Sequence, residues 1–133
     1  MKTIEVAIAI VFRDGKILIT RRKADTPLGG YWEFPGGKCE VNESPEVCAL
    51  RELREEVCIV ARITQSLEII EHHYPHARVR IHPFICQHEE GEAQLVDVVD
   101  ARWIEPGSLL TYQFPEANAA LNQSIVDRFS IKA

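Results

Sequence analysis

Apolar residues along this chain come in two rhythms. Residues 4–12, IEVAIAIVF, form a nearly unbroken run rich in β-branched side chains, the pattern of a strand buried on both faces. Asp14-Gly15 follows, a dipeptide favoured in two-residue hairpin turns because both positions tolerate positive φ. Lys16–Thr20, KILIT, then reads as the returning strand. Two glycine pairs, Gly29-Gly30 and Gly36-Gly37, bracket a short strand carrying Trp32, Glu33 and Phe34. From Ser44 the rhythm becomes helical. Ser44 suits the N-cap and Pro45 the first helical position, while Glu46 meets the positive end of the helix dipole. Beyond that helix, residues 59–71 and 78–88 alternate as two longer strands. His72–Ala77 connects them, and Glu89-Glu90-Gly91-Glu92 reads as an acidic turn. A strand at Ala101–Ile104 precedes a turn or short helix from Glu105. The last helix runs from about Ala117 to Phe129, with Leu121, Ile125 and Phe129 on one face. The predicted order is β-β-β-α-β-β-β-α, an α/β chain whose mixed sheet is sandwiched between helices.

The first helix carries the chemistry. At 100° per residue, Glu52, Glu55 and Glu56 fall within one arc of roughly 100°, and Leu50, Leu53 and Val57 occupy another. Like charges three and four residues apart destabilise a helix by a few tenths of a kcal/mol each. Arg51 and Arg54 can offset that repulsion, but a divalent cation offsets it better. Clustered carboxylates suit Mg²⁺ or Mn²⁺, hard cations that prefer oxygen donors and keep several waters. An acidic helix face is more commonly just solvated. Here the turn Pro35-Gly36-Gly37-Lys38, which can bring backbone groups close to a ligand, favours a site.

Composition narrows the partners. At 133 residues the chain has room for one domain with its own core, and we read 1–133 as that domain. The formal charge of −5 gives no general footprint for a nucleic-acid polymer, so an anionic partner must be met by a local basic patch or by metal. Arg21-Arg22-Lys23, just ahead of the first glycine pair, is such a patch. No apolar stretch approaches the roughly 18 residues that a membrane span needs. Glu5 comes too early for a signal peptide. Cys39, Cys48, Cys58 and Cys86 form no C-x-x-C pair, which points to reduced thiols in the cytoplasm. His72, His73 and His76 are not spaced for one tetrahedral metal site.

Gly37, Glu43, Arg51, Glu52, Leu53, Glu55, Glu56 and Ile59 fit the pattern G-x5-E-x7-R-E-U-x-E-E-x-G-U, with U an aliphatic residue. This resembles the signature of the Nudix hydrolases. One position departs, because Cys58 stands where the family has glycine. That glycine is similar to a helix C′ residue at positive φ, where a side chain costs about 1 kcal/mol. The departure bears on local stability and removes no side-chain ligand. Trp32–Lys38, WEFPGGK, and Phe114–Asn118, FPEAN, are similar to the MutT-like branch of the family. The likeness is strong over residues 4–60 and thinner afterwards.

The resemblance implies the α/β/α Nudix fold and hydrolysis of a nucleoside diphosphate linked to another group, with Mg²⁺ (or Mn²⁺) as cofactor. It assigns the metal to Glu52, Glu55, Glu56 and the carbonyl of Gly36. Asp97 is the candidate for a further carboxylate, because Arg102 stands before Trp103 where MutT-type chains carry an acid. Glu52 is the candidate general base, and Glu43 with Arg51 an ion pair that fixes the loop against the helix. Arg22 and Lys38 would hold phosphate oxygens, with Glu33 and Gly37 flanking the nucleotide. Arg78 shares a strand face with Arg80 from which it can reach a substrate. Asn118 matches the asparagine that reads the purine edge of 8-oxoguanine, since an amide donates and accepts at once. The expected substrate is then a small-molecule nucleotide, 8-oxo-dGTP, cleaved to the monophosphate and pyrophosphate by a monomer or a homodimer. Relatives sharing the same signature take (d)CTP or other nucleotides. A third class, the non-catalytic Nudix-fold module, typically loses the carboxylates that this chain keeps.

Overall fold

Residues 2–130 are described by a computed structural model. The central strand β1 (Lys2–Arg13) turns back into β2 (Lys16–Arg21) through Asp14 and Gly15, at φ 51° and 78°. Both positive angles are those of a primed hairpin turn, whose twist matches the flanking strands. Then follow β3 (Trp32–Glu33), β4 (Gly36–Lys38), helix α1 (Pro45–Val57), β5 (Val60–Ser66), β6 (Ile70–His73), β7 (Ala77–Glu90), β8 (Asp100–Ile104) and helix α2 (Ala119–Phe129). The described residues form one mixed eight-stranded sheet, ordered β3-β2-β1-β7-β5, with β4 on β1, β6 on β7 and β8 on β2. β1 and β7 run parallel, in register from Lys2↔Ala77 to Phe12↔Gln87; the other pairings are antiparallel.

Side chains alternate across β1. Ala7, Ala9 and Val11 pack with Leu18, Phe84 and Cys86 under Cys48, Ala49, Leu53 and Val57 of α1. Ile10, flanked by Ile8 and Phe12, packs on the opposite face with Ile17, Ile19, Trp32 and Phe34 under Leu121 and Ile125 of α2. Both faces are therefore covered, which is why β1 reads as continuously apolar. Small residues on β1 and on α1 let that helix lie close to the sheet, and each buried Leu or Ile contributes about 1.5–3 kcal/mol. This is the α/β/α sandwich expected from the sequence.

Several boundaries differ from expectation. The run 59–71 is not one strand but β5 and β6, with a break over residues 67–69. The break falls where Pro83 interrupts β7: Ser66 pairs with Phe84, Ile70 pairs with Ile81, and the Leu67 N–H takes the Pro83 carbonyl at 3.0 Å. Proline has no N–H to offer a neighbouring strand, so the ladder is interrupted there. β7 itself continues through Glu90, so Glu89 and Glu90 are strand and the turn begins at Gly91, at φ 98°. The final helix is preceded by a 3-10 turn at Glu116–Asn118, and a second 3-10 turn covers Pro106–Thr111. All four cysteines are free thiols. No helix among the described residues is long and apolar enough to cross a membrane.

Candidate active site

The site is built where α1 meets β4. Ser44 Oγ caps the helix by accepting from the Val47 N–H at 3.2 Å, as its sequence position predicts. At the other end Cys58 adopts φ 62°, and its N–H donates to the Arg54 carbonyl at 3.0 Å. The chain then returns along this end of the helix. Gln94 N–H reaches the Val57 carbonyl at 3.0 Å, and the Val96 and Asp97 N–H groups both reach the Glu56 carbonyl at 3.3 Å. Carbonyls that a helix C-terminus leaves unpaired are thereby satisfied, and Asp97 is delivered beside Glu56. The glycines are required by closeness. A Cβ on Gly37 would lie 2.7 Å from the Glu52 carboxyl carbon, and one on Gly36 would strike the Ala7 carbonyl and lie 2.8 Å from Ile8 Cα. The Gly36 N–H donates to Glu56 Oε2 at 2.8 Å, tying turn to helix.

Arg51 is the hub of the acidic face. Its Nε and Nη2 donate to the two Glu43 oxygens at 2.6 and 2.9 Å, and its Nη1 donates to Glu52 Oε1 at 3.1 Å and Glu55 Oε2 at 2.9 Å. Bidentate charged pairs are among the stronger hydrogen bonds. The Arg51 guanidinium, helped by the Glu40 N–H, holds the Glu43 carboxyl down at about 2.

Two clefts meet at Glu33. The smaller, about 70 Å³, is polar and lined by Arg22, Lys23, Thr26, Glu33, Glu56 and Asp97. The larger, about 200 Å³, is mostly apolar; Val6, Ile8, Phe34, Ile81 and Leu121 form its walls, with Glu33, Tyr74 and Asn118 as its polar groups. Arg22 donates to Glu33 Oε1 at 3.1 Å and to the Pro27 carbonyl at 2.8 Å. Lys23 Nζ lies 3.2 Å from Asp97 Oδ1.

Burial and crowding govern the acids. Glu56 is only 6% exposed, and burial, with the nearby charges of Glu33, Glu52 and Asp97, pushes its carboxyl up to about 9 against the pull of the Gly36 N–H. Burial also raises Glu33 and Glu52, in spite of their arginine partners. Acids that hold protons this tightly favour a neutralising cation, and carboxylate oxygens are the donors that a hard divalent ion takes. As the side chains stand, no three of them meet at metal-ligand spacing among the described residues. Glu55 in particular, 56% exposed, turns to Arg51 and does not join Glu56 at the polar cleft.

The remaining sequence candidates divide. Arg22, Glu33, Glu56 and Asp97 come together in the polar cleft, and Asn118 lines the apolar one. Lys38 is exposed and in register with Val6, with its carbonyl engaged by Arg51 at 3.3 Å. Arg78 is not brought to the site. Ile81 points into the apolar cleft, so strand alternation turns Arg78 to the α1 side of the sheet, opposite Asn118. Lys23, Thr26, Leu28 and Tyr74 also line the clefts. Of these only Lys23 carried a signal, its place in the basic run; the others are brought in by loop paths that local pattern does not specify.

The described residues thus form an α/β/α sandwich in which an acid-bearing helix is set against a glycine turn paired with the central strand. A NUDIX domain family model matches residues 6–124. The 8-oxo-dGTP diphosphatase of Escherichia coli K12 is 34% identical over 119 residues, covering 89% of this chain and 92% of that protein. The CTP pyrophosphohydrolase of the same organism is 33% identical over 126 residues, covering 95% and 93%. The solution structure of the E. coli ORF135 protein superposes with a TM-score of 0.82 at 32% identity, covering 96% of this chain and 91% of that one. A MutT structure from work on Aliivibrio salmonicida and Vibrio cholerae gives 0.75 at 29%, covering 96% and 100%. The chain belongs to the Nudix family, and it is a Nudix pyrophosphohydrolase.

Proposed function

We propose that this enzyme is a Mg²⁺-dependent nucleoside triphosphate pyrophosphohydrolase that converts 8-oxo-dGTP to 8-oxo-dGMP and pyrophosphate. It would act in the cytoplasm to cleanse the nucleotide pool and so spare DNA from repair, as a one-domain chain, 1–133, that is a monomer or a homodimer. The observation that carries the reading is the junction of an apolar, base-sized cleft bearing Asn118 with an acidic one bearing Arg22 and Lys23. Among the described residues the Asn118 side chain makes no capping hydrogen bond, although it stands at the start of α2. Among those residues its amide has no capping duty to give up. In 8-oxoguanine the ring carries an N7–H donor beside the O6 acceptor, which one amide matches in full; guanine offers two acceptors there.

The cation would be held by Glu52, Glu56 and Asp97, with Glu55 and the Gly36 carbonyl as further donors. When bound it supplies charge neutralisation at the phosphates and a more acidic water. The chain's own groups do the rest. Arg22 and Lys38 hold phosphate oxygens, and Arg51, clamped by Glu43, keeps Glu52 in place. Glu52, which Arg51 holds in place, takes the proton of the attacking water. Phe34, Ile81 and Leu121 exclude water from around the base.

A second reading, a (d)CTP pyrophosphohydrolase, is favoured by the 33% identity to the E. coli CTP enzyme. A nucleotide panel with Mg²⁺, scored for pyrophosphate against phosphate, tests both. Pyrophosphate release with the highest kcat/KM for 8-oxo-dGTP is expected. A preference for CTP or dCTP would replace that substrate, and phosphate release would overturn the cleavage site.

A further inference from the structure

We propose that Lys23 is a second phosphate-binding residue of the polar cleft, held in reserve by Asp97 until cation binding releases it. The inference rests on reading that cleft as the polyphosphate site. Arg22 and Lys23 are the basic side chains that line it, facing the three acids Glu33, Glu56 and Asp97. Arg22 is largely committed, with Nε on the Pro27 carbonyl and Nη1 on Glu33. Among the described residues Lys23 is committed only to Asp97, at 3.2 Å, and the Asp97 side chain is 68% exposed. Exposed pairs of this kind contribute little and exchange readily.

The backbone beneath Lys23 is fixed. Its carbonyl accepts from the Thr26 N–H at 3.2 Å and from Thr26 Oγ1 at 2.6 Å. Gly29 packs so tightly beneath it that a Cβ there would lie 2.7 Å from the same carbonyl. A rigid base with a long, flexible, three-donor ammonium on top suits a side chain that moves from one anion to another. A cation held by Asp97 would set a like charge against the Lys23 ammonium, which lies 3.2 Å from the same carboxylate, so the two compete for it. Cation binding at Asp97 and release of Lys23 are therefore linked, and the linkage works in both directions. A triphosphate entering beside the cation then meets a free ammonium instead of a neutralised one.

Lys23→Met and Lys23→Arg test this, each compared with the unaltered chain by Mn²⁺ titration without nucleotide and by binding of an α,β-methylene triphosphate analogue at saturating Mn²⁺. In Lys23→Met, Mn²⁺ should bind about twofold to fivefold more tightly, because Asp97 is freed. The same variant should bind the analogue about tenfold more weakly and raise KM by a similar factor, with little change in kcat. Lys23→Arg should restore analogue binding. Opposite signs on metal and nucleotide are what a merely structural ion pair would not produce. Unchanged analogue affinity in Lys23→Met, or weaker Mn²⁺ binding, would overturn the proposal. An unaltered chain that hydrolyses no nucleoside triphosphate would instead sink the functional reading, a result distinguishable because it appears before any substitution is made.

Discussion

The two helices hold the two ends of the cleft in opposite ways. Along α1 and the loop just ahead of it the functional groups are spoken for: Glu43, Glu52 and Glu55 by Arg51, Glu56 by the Gly36 N–H, and the last carbonyls by residues 94–97. Along α2 they are not. Asn118 caps nothing among the described residues. Chemistry needs carboxylates fixed in advance of the reaction, so the acid end is over-determined. Recognition needs polar groups whose satisfaction waits for the ligand, so the base end is left open.

The largest effect should come from the acid end. Glu56→Gln removes the buried carboxyl proposed to hold the cation, and should lower the Mg²⁺-dependent rate on the order of a thousandfold. Glu55→Gln should also lower it. Glu55 reaches the site only by leaving Arg51, so its substitution should cost less than that of Glu56. Steady-state kinetics on both variants, with circular dichroism to verify folding, would break the comparison if Glu55→Gln proved the more damaging.

The second effect is on stability. Glu56 ionises near 9 in the folded chain and near 4.5 when free of it, so folding favours its protonated form. Without metal, that contribution is fully present below about pH 4.5 and is lost as pH rises toward 9, at up to about 1.4 kcal/mol per pH unit. Glu33 and Glu52, also raised, act in the same direction. Glu43, held at about 2, acts in the opposite one: its contribution is present at neutral pH and disappears only as pH falls toward 2. Urea midpoints in chelator should therefore decline between pH 5.5 and 8.5, Glu56→Gln should flatten the decline, and Mg²⁺ should reverse it most at high pH. A rising midpoint in chelator would mean that the acid end is not strained by its own charge.

At the base end, Asn118→Ala should erode the preference for 8-oxo-dGTP over dGTP about tenfold, within the roughly 1–3 kcal/mol of a bidentate base contact. Hydrolysis of dGTP itself should change much less. Equal loss on both nucleotides would show that Asn118 supports the cleft without reading the base.

How much of this was legible in the sequence follows the same division. The signature residues from Gly37 to Ile59 lie within one short stretch, where glycine, cap and helical spacing act locally, and Arg51 meets Glu43 eight residues back and Glu52 next to it. The sandwich was equally plain, because β1 is apolar on both faces. The break at 67–69 was hidden because its cause, Pro83, lies on another strand. Arg78 cannot be assigned to either side from sequence, because spacing along a strand shows which residues share a face but not which face meets the nucleotide. Glu55 shared the acidic arc with Glu56, yet the arc alone could not tell which carboxylate Arg51 would take.

The smallest effect concerns how the helices end. α2 passes into extended backbone at Ser130, at φ −71°, a conformation any residue adopts. α1 stops at Cys58 in the left-handed region, at φ 62°, the position where the family pattern has glycine. A side chain there costs about 1 kcal/mol. Cys58 is exposed, so replacing it removes little packing. Glycine gains freedom in the unfolded chain as well, which takes back part of the benefit. Cys58→Gly should raise stability by somewhat under about 1 kcal/mol, read as a small upward shift in Tm with kcat and KM unchanged. The mirror substitution Ser130→Gly should give no gain, since no left-handed strain exists there to relieve. If the two variants shifted Tm equally, the cost assigned to Cys58 would be a property of helix ends in general and not of this turn.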